Sequence, residues 1–279
     1  MAAQPCSLCS PLRVADFLDH HAQLRVYRGL PSNFLPDTRD VTVYLPPGYH
    51  DNEERRYPVF YMHDGQNLFD PLTSFVPGHY WRIEESADAA IEEGEVEPLI
   101  IVGVNNTGAR RMAEYTPTRD PKLGGGEADC YGMLLTEELM PFINESFRTE
   151  TGPERTGLGG SSLGGLVTMY LGLRYPHVFG RLAVMSPSVW WTQKRILTLV
   201  DEAPLPDDPH ERARIWLDAG DKEGPRTLPN TDQLDRRLRG RGWQPEINLH
   251  YERVNGGTHD EAAWAARVRP MLTWLFPAA

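Results

Sequence analysis

Cysteine is scarce, with three residues in a chain of 279. Three thiols cannot build the disulfide framework on which small secreted folds depend. Cys6 and Cys9 form one Cys-x-x-Cys pair, but only Cys130 is left to supply the second pair of a zinc ribbon. No metal is expected, and the pair reads as part of a frayed N-terminus. Positive charge is also short, with 28 Lys and Arg against 39 Asp and Glu and a net charge of −11. A chain that must neutralise phosphates leans the other way, which excludes nucleic acid as a partner. No apolar run approaches the roughly 18 residues of a membrane span. The opening MAAQPCSLCSPL carries neither the positive n-region nor the apolar h-region of a signal peptide. The expected location is the cytoplasm, without a membrane partner.

Hydrophobic residues make up 40% of the chain and charged residues 24%, enough apolar material for one large core. Strand-like runs recur at Leu24 to Tyr27, Val41 to Leu45, Val59 to Met62, Leu99 to Val104, Thr156 to Leu158, Leu182 to Met185, Ile215 to Leu217 and Ile247 to Tyr251. Helical patterns fall at Trp81 to Glu93, Met133 to Phe147, Leu163 to Tyr175, Leu234 to Arg239 and Asp260 to Phe276. Strands come first and then alternate with helices, which predicts an α/β fold: a mostly parallel sheet of about eight strands with helices on both faces. No repeat or low-complexity tract interrupts the pattern. The expected organisation is an N-terminal extension over residues 1–20, partly flexible, followed by a single domain over 21–279. The stretch Asn105 to Asp129 holds Pro117, Pro121 and three consecutive glycines, and leaves the end of a strand where open parallel sheets bind ligands. Ala203 to Pro209 reads as a surface connector.

Gly160-Ser161-Ser162-Leu163-Gly164 fits G-x-S-x-G between a short strand and a helix. A serine at such a corner sits on a strained turn with its Oγ at the open edge of the sheet, so Ser162 is the candidate nucleophile. A hydroxyl needs a base to take its proton. Among nine histidines, His259 follows a strand, sits on Asn255-Gly256-Gly257-Thr258 and precedes a helix that Asp260 can cap. His250 alternates with Ile247, Leu249 and Tyr251 and should face solvent or the flanking layer. The acid should follow a strand between Ser162 and His259. Gly220-Asp221-Lys222-Glu223-Gly224 offers Asp221 and Glu223, which periodicity does not rank; Asp218 lies inside the strand run.

An acyl-transfer site also needs backbone N–H groups aimed at the developing oxyanion. Leu163 should supply one, and Gly65 or Gln66, in His63-Asp64-Gly65-Gln66-Asn67, the other. Gly65 permits dihedrals that turn an amide inwards. His63 and Asp64 are read as ordering that turn, and Ser186 and Ser188 as satisfying backbone groups beside Pro187.

These residues resemble a known family, the α/β-hydrolase esterases that include esterase D, feruloyl and acetylxylan esterases and enterochelin esterases. The resemblance runs from about Arg39 to Phe276. It is carried by RDVTVYLPPGY at Arg39 to Tyr49, YPVFYMHDGQNLFD at Tyr57 to Asp70, GLGGSSLGG at Gly157 to Gly165, LDAGDKEG at Leu217 to Gly224 and GGTHDEAAW at Gly256 to Trp264. It implies an α/β-hydrolase fold with Ser162 as nucleophile, His259 as base and Glu223 as acid, Asp221 being the alternative. Only about thirty residues separate the strand ending at Met185 from Ile215, too few for a large lid domain. Trp190, Trp191 and the Asn105 to Asp129 loop would wall an open site. The tryptophans could stack an aromatic acyl group or a sugar, or one of them could pack in the core. Arg110 and Arg111 could steer an anionic ester, or pair with Glu114.

The implied activity is a serine carboxylic-ester hydrolase needing no cofactor. Its substrate would be a small-molecule or glycan-linked ester. An acyltransferase on the same residues, a siderophore-type ester hydrolase and a non-catalytic binding module are the competing readings.

Overall fold

β-Branched and aromatic runs line up into one twisted sheet in the computed structural model, which describes residues 23–245 and 247–278. The N-terminal extension, with Cys6 and Cys9, lies outside the described residues. Eight strands, β1 (Leu24–Leu30), β2 (Arg39–Tyr44), β3 (Val59–His63), β4 (Ile100–Val104), β5 (Thr156–Ser161), β6 (Arg181–Met185), β7 (Arg214–Gly220) and β8 (Leu249–Val254), follow the order β1-β2-β4-β3-β5-β6-β7-β8. The β1/β2 and β2/β4 pairs are antiparallel, and every later pair is parallel. All residues of β3 and β4 are buried, as continuous apolar strands covered on both faces should be.

The helices are α1 (Ile83–Glu92), α2 (Arg111–Glu114), α3 (Ala128–Met133), α4 (Met140–Ser146), α5 (Leu163–Arg174), α6 (Trp191–Glu202), α7 (Thr227–Gly240), α8 (Glu261–Ala265) and α9 (Val268–Leu275). A π-helical stretch, Leu134–Leu139, joins α3 to α4. The period of two along β6 divides the core. Leu182 and Val184 pack with Leu166, Val167, Ile196 and Leu234 on one face of the sheet. Ala183 and Met185 pack with Ala87, Trp216, Met271 and Leu275 on the other.

Several helices differ from the sequence reading. α6 was not among the expected helices; it follows Ser186-Pro187-Ser188 and Trp190, and its buried Ile196 and Leu197, each about one turn before Val200, supply the apolar stripe. α7 starts at Thr227, seven residues before the expected Leu234, because its inner face there is the small polar pair Asn230 and Thr231, both buried. The Asp260 to Phe276 pattern divides into α8 and α9 around Arg267. The 105–129 stretch is partly helical, since α2 lies within it. Ile247 is not a core-facing strand residue: it is 40% exposed in a turn, and β8 begins at Leu249. His250 turns to the flanking layer and stacks on Trp216 at 4.3 Å.

One buried carboxyl ties stability to pH. Glu84 on α1 is buried, its Oε2 has no hydrogen-bond partner, and burial pushes its pKa from 4.5 up to about 7. Between those values the folded chain holds a proton that the unfolded chain releases, so this group's contribution to stability falls as pH rises through the window. Glu84→Gln keeps the shape and removes the ionisation. It should gain about 2 kcal/mol at pH near 8, a Tm rise of about 5 °C, and almost nothing near pH 4. Equal melting shifts at both pH values would show that Glu84 does not titrate in this way.

Candidate active site

β5 ends at Ser161, and the chain turns sharply through Ser162 into α5. Ser162 holds φ 60° and ψ −118°, a region that costs a non-glycine residue about 1–3 kcal/mol. Its backbone is fixed from both sides. The Ser162 N–H donates to Met185 O at 3.0 Å, and its carbonyl accepts from Leu166 N at 3.1 Å and Ser188 N at 2.9 Å. The Oγ lies 3.4 Å from Ser188 Oγ.

The register carries Ser161 across to Met185 on β6 and Asp218 on β7, so the turns after β5, β6 and β7 share one rim. A Cβ on Gly220 would lie 2.1 Å from Gly257 O, so glycine alone lets the turn after β8 settle on the end of β7. There Lys222 N donates to Gly257 O at 2.9 Å and Asp221 N to Val254 O at 3.1 Å. This contact brings His259 Nδ1 to 2.9 Å from Glu223 Oε2. The other carboxylate that the sequence left open is engaged elsewhere: Asp221 Oδ1 accepts from Gly256 N at 2.8 Å. Asp260 caps α8 by accepting from Ala263 N at 3.0 Å.

The Glu223 side chain is fully buried. Its Oε1 accepts from Ser186 Oγ at 2.6 Å and from Gly220 N at 2.7 Å. Burial works against its ionisation, but the hydrogen bonds from His259, Ser186 and Gly220 together hold its pKa below the usual carboxylate value. Behind it lies Arg267, 3% exposed, whose Nη1 is 2.7 Å from Asp218 Oδ1. Burial pushes the pKa of Asp218 up to about 6, against the opposing effects of Arg267 and of Trp216 Nε1, which donates to it at 2.7 Å. Trp264 Nε1 donates to Ser186 Oγ at 3.0 Å, and the Trp264 ring meets His259 edge-on.

Sequence reasoning missed this layer: Ser186 serves the Glu223 carboxylate and not a backbone group, Arg267 and Trp264 were not singled out, and Asp218 was set aside as part of the strand. The available signal was a charge in a buried register, since Arg267 falls between Trp264 and Met271 on the apolar face of the C-terminal helices.

At the end of β3 the positive φ falls on Asp64, at 57°, and not on Gly65. Gly65 is needed for close approach, because a Cβ there would lie 2.5 Å from Gly103 C. Asp64 is held by Arg111 at 2.7 and 2.8 Å, by Asn106 Nδ2 at 2.7 Å, and through its own N–H to Tyr115 OH at 3.1 Å. Arg111 therefore braces this turn. Arg110 pairs with Glu127 and Asp37, while Glu114, the partner considered for both arginines, forms a buried pair with Arg39. His63 is buried with Nδ1 2.9 Å from Tyr131 OH, and burial lowers its pKa to about 3, so it stays neutral. Gly65, Gln66 and Leu163 occupy first helical turns, whose N–H groups have no acceptor within the helix. They leave the neighbouring strands β3 and β5.

The two tryptophans separate. Trp191 is 1% exposed and donates from Nε1 to Thr118 O at 2.7 Å, tying α6 to the 105–129 stretch. Trp190 is 43% exposed and is the one free to meet a ligand. A groove of about 760 Å³ beside the His259 turn is lined by Val76, His79, Thr258 and Asp260, among others.

The sequence profile of the family described as "Putative esterase" matches residues 32–275. The chain belongs to this esterase family. Over 89% of its length the esterase is 26% identical to the uncharacterized protein YbbA of Bacillus subtilis, covering 97% of that protein. It is 28% identical over 85% of its length to an endo-1,4-beta-xylanase/feruloyl esterase of Xylanibacter ruminicola, of which it spans 29%. The enterobactin esterase of Shigella flexneri, solved in the presence of enterobactin, superposes with a TM-score of 0.73 at 19% identity, over 92% of this chain and 59% of that one. At that identity the likeness concerns the fold, an α/β-hydrolase sheet with helices on both faces. Among the described residues the esterase has no helix long and apolar enough to cross a membrane.

Proposed function

We propose that this esterase is a serine ester hydrolase working through Ser162, His259 and Glu223, on esters that carry an aromatic ring or a sugar. The observation that carries the reading is the 2.9 Å contact between His259 Nδ1 and Glu223 Oε2, on the rim where Ser162 is held at φ 60°. With Nδ1–H donated to Glu223, the imidazole keeps Nε2 unprotonated, the tautomer a general base requires.

His259 takes the Ser162 proton as Oγ attacks the ester carbonyl. The resulting oxyanion is met by the N–H of Leu163 and that of Gly65 or Gln66. His259 then gives its proton to the departing alcohol. Water, deprotonated by the same ring, cleaves the acyl-enzyme and returns Ser162 to its starting state. The exposed Trp190 supports an aromatic or sugar-bearing substrate, since a ring presented to solvent stacks on planar or C–H faces. The feruloyl esterase among the relatives and the enterobactin esterase among the solved structures point the same way.

A fluorophosphonate tests the assignment. One phosphonyl group should attach per chain, on the peptide holding Ser162, with loss of p-nitrophenyl ester turnover in step with labelling. Labelling of another residue, or turnover that survives full labelling, would overturn it.

A further inference from the structure

Arg267 has five N–H donors, and each has an acceptor. Nε donates to Ala263 O at 3.0 Å, Nη1 to Asp218 Oδ1 at 2.7 Å and Ser186 Oγ at 3.3 Å, and Nη2 to Glu223 Oε1 and Thr258 O at 3.4 Å each. The planar fork therefore joins the end of β6, the end of β7, the Glu223 turn and the His259 turn. The Arg267 side chain is 4% exposed, and those of Asp218 and Glu223 are fully buried. A guanidinium this close would ordinarily neutralise a carboxylate, leaving it little charge with which to stabilise an imidazolium. The distances indicate otherwise: the short ion pair is with Asp218 and the longer contact is with Glu223.

We propose that Arg267 and Asp218 are a positioning pair for Glu223. The guanidinium sets the carboxylate's orientation, and Asp218 cancels the guanidinium's charge so that the charge of Glu223 stays available to His259. The inference rests on the serine-hydrolase reading above. Above about pH 6, where Asp218 is ionised, two buried negative charges and one positive leave a single net negative charge facing the ring. The other charged groups around the His259 turn are Asp221 and Lys222 after β7, Asp260 and Glu261 at the start of α8, and His79 across the groove. Asp221, Lys222 and His79 are exposed to solvent, Asp260 is half-exposed, and Glu261 is held by Asn67 Nδ2. Solvent screens the exposed charges far more than it screens the buried three.

The experiment is the acid limb of kcat/KM for a small ester in wild type, Asp218→Asn and Asp218→Asn/Arg267→Met. Removing the Asp218 charge leaves Arg267 unmatched, which disfavours the imidazolium. The limb should move to lower pH by about one unit, and kcat should fall several-fold with KM little changed. Removing both charges restores the net charge, so the limb of the double variant should return to within about 0.3 unit of wild type. A pair that served folding alone would lower stability without moving the limb. An unmoved limb in Asp218→Asn, or the same displacement in both variants, overturns the inference. If Asp218→Asn does not fold by circular dichroism, the double variant decides, because it leaves no unmatched buried charge. A limb at the wild-type position together with a several-fold lower kcat, from loss of the orienting guanidinium, supports the pair; a displacement beyond about half a unit, or an unchanged kcat, refutes it. Failure of the parent reading would look different: wild-type protein that neither turns over esters nor takes the phosphonate on Ser162.

Discussion

Ser162→Ala should lower kcat for p-nitrophenyl acetate by roughly four to six orders of magnitude while KM stays within a few-fold. The bonds that hold the elbow are backbone bonds, from Ser162 N to Met185 O and from Leu166 N and Ser188 N to the Ser162 carbonyl, and alanine keeps all of them. What disappears is the Oγ, whose polar contact here is a long 3.4 Å approach to Ser188 Oγ. Tm should stay within about 2 °C of wild type, since neither burial nor capping changes. The substrate should still bind, because the amide donors and Trp190 are untouched. Retention of more than about a tenth of wild-type kcat would shift suspicion to Ser188 or to the buried Ser161, and the proposed chemistry would fail.

The second large effect concerns the acid. Glu223→Gln should lower kcat by about 10³- to 10⁴-fold, whereas Asp221→Asn should stay within about three-fold. Glu223 Oε1 is surrounded by donors, Ser186 Oγ, Gly220 N and Arg267 Nη2, so a glutamine must place its carbonyl there. Its amide NH₂ then faces His259 Nδ1, which has to become an acceptor and sends the ring proton to Nε2. The imidazole would present a hydrogen to Ser162 where it needs a lone pair. Asp221 is occupied with Gly256 N at the surface, so its loss should loosen that turn slightly and leave the tautomer alone. Steady-state kinetics of both variants on one ester suffice. Equal losses in the two, or the larger loss in Asp221→Asn, would reverse the assignment.

The strands were readable because buried parallel strands are continuous apolar runs, as in Val59 to Met62 and Ile100 to Val104, and such runs mean the same thing wherever they lie. Ser162 and His259 could be picked out because the glycines around them, Gly160, Gly164, Gly256 and Gly257, mark local backbone requirements that show in the chain itself. α6 was hidden because its apolar residues, Ile196, Leu197 and Val200, are few and follow a proline and two tryptophans that were read as site walls. The reason for a glycine at position 65 was hidden in a related way. A positive φ is a local preference that can be guessed from composition, but the contact with Gly103 depends on a strand nearly forty residues further along. The arginines after Asn105 were similar: two adjacent cations announce charge, and nothing in their order says that one braces Asp64 while the other pairs with Glu127 and Asp37.

The amino-acid order alone determined the sheet, the elbow serine and the histidine on its glycine turn, because each is encoded within a few consecutive residues. Tertiary structure decided that Glu223 and not Asp221 faces His259, that Trp190 is exposed and Trp191 buried, and that Arg267, Asp218 and Ser186 surround the carboxylate. Those outcomes depend on how closely β7, β8 and the C-terminal helices approach one another and on how α6 meets the 105–129 stretch, and no short window of sequence contains those distances.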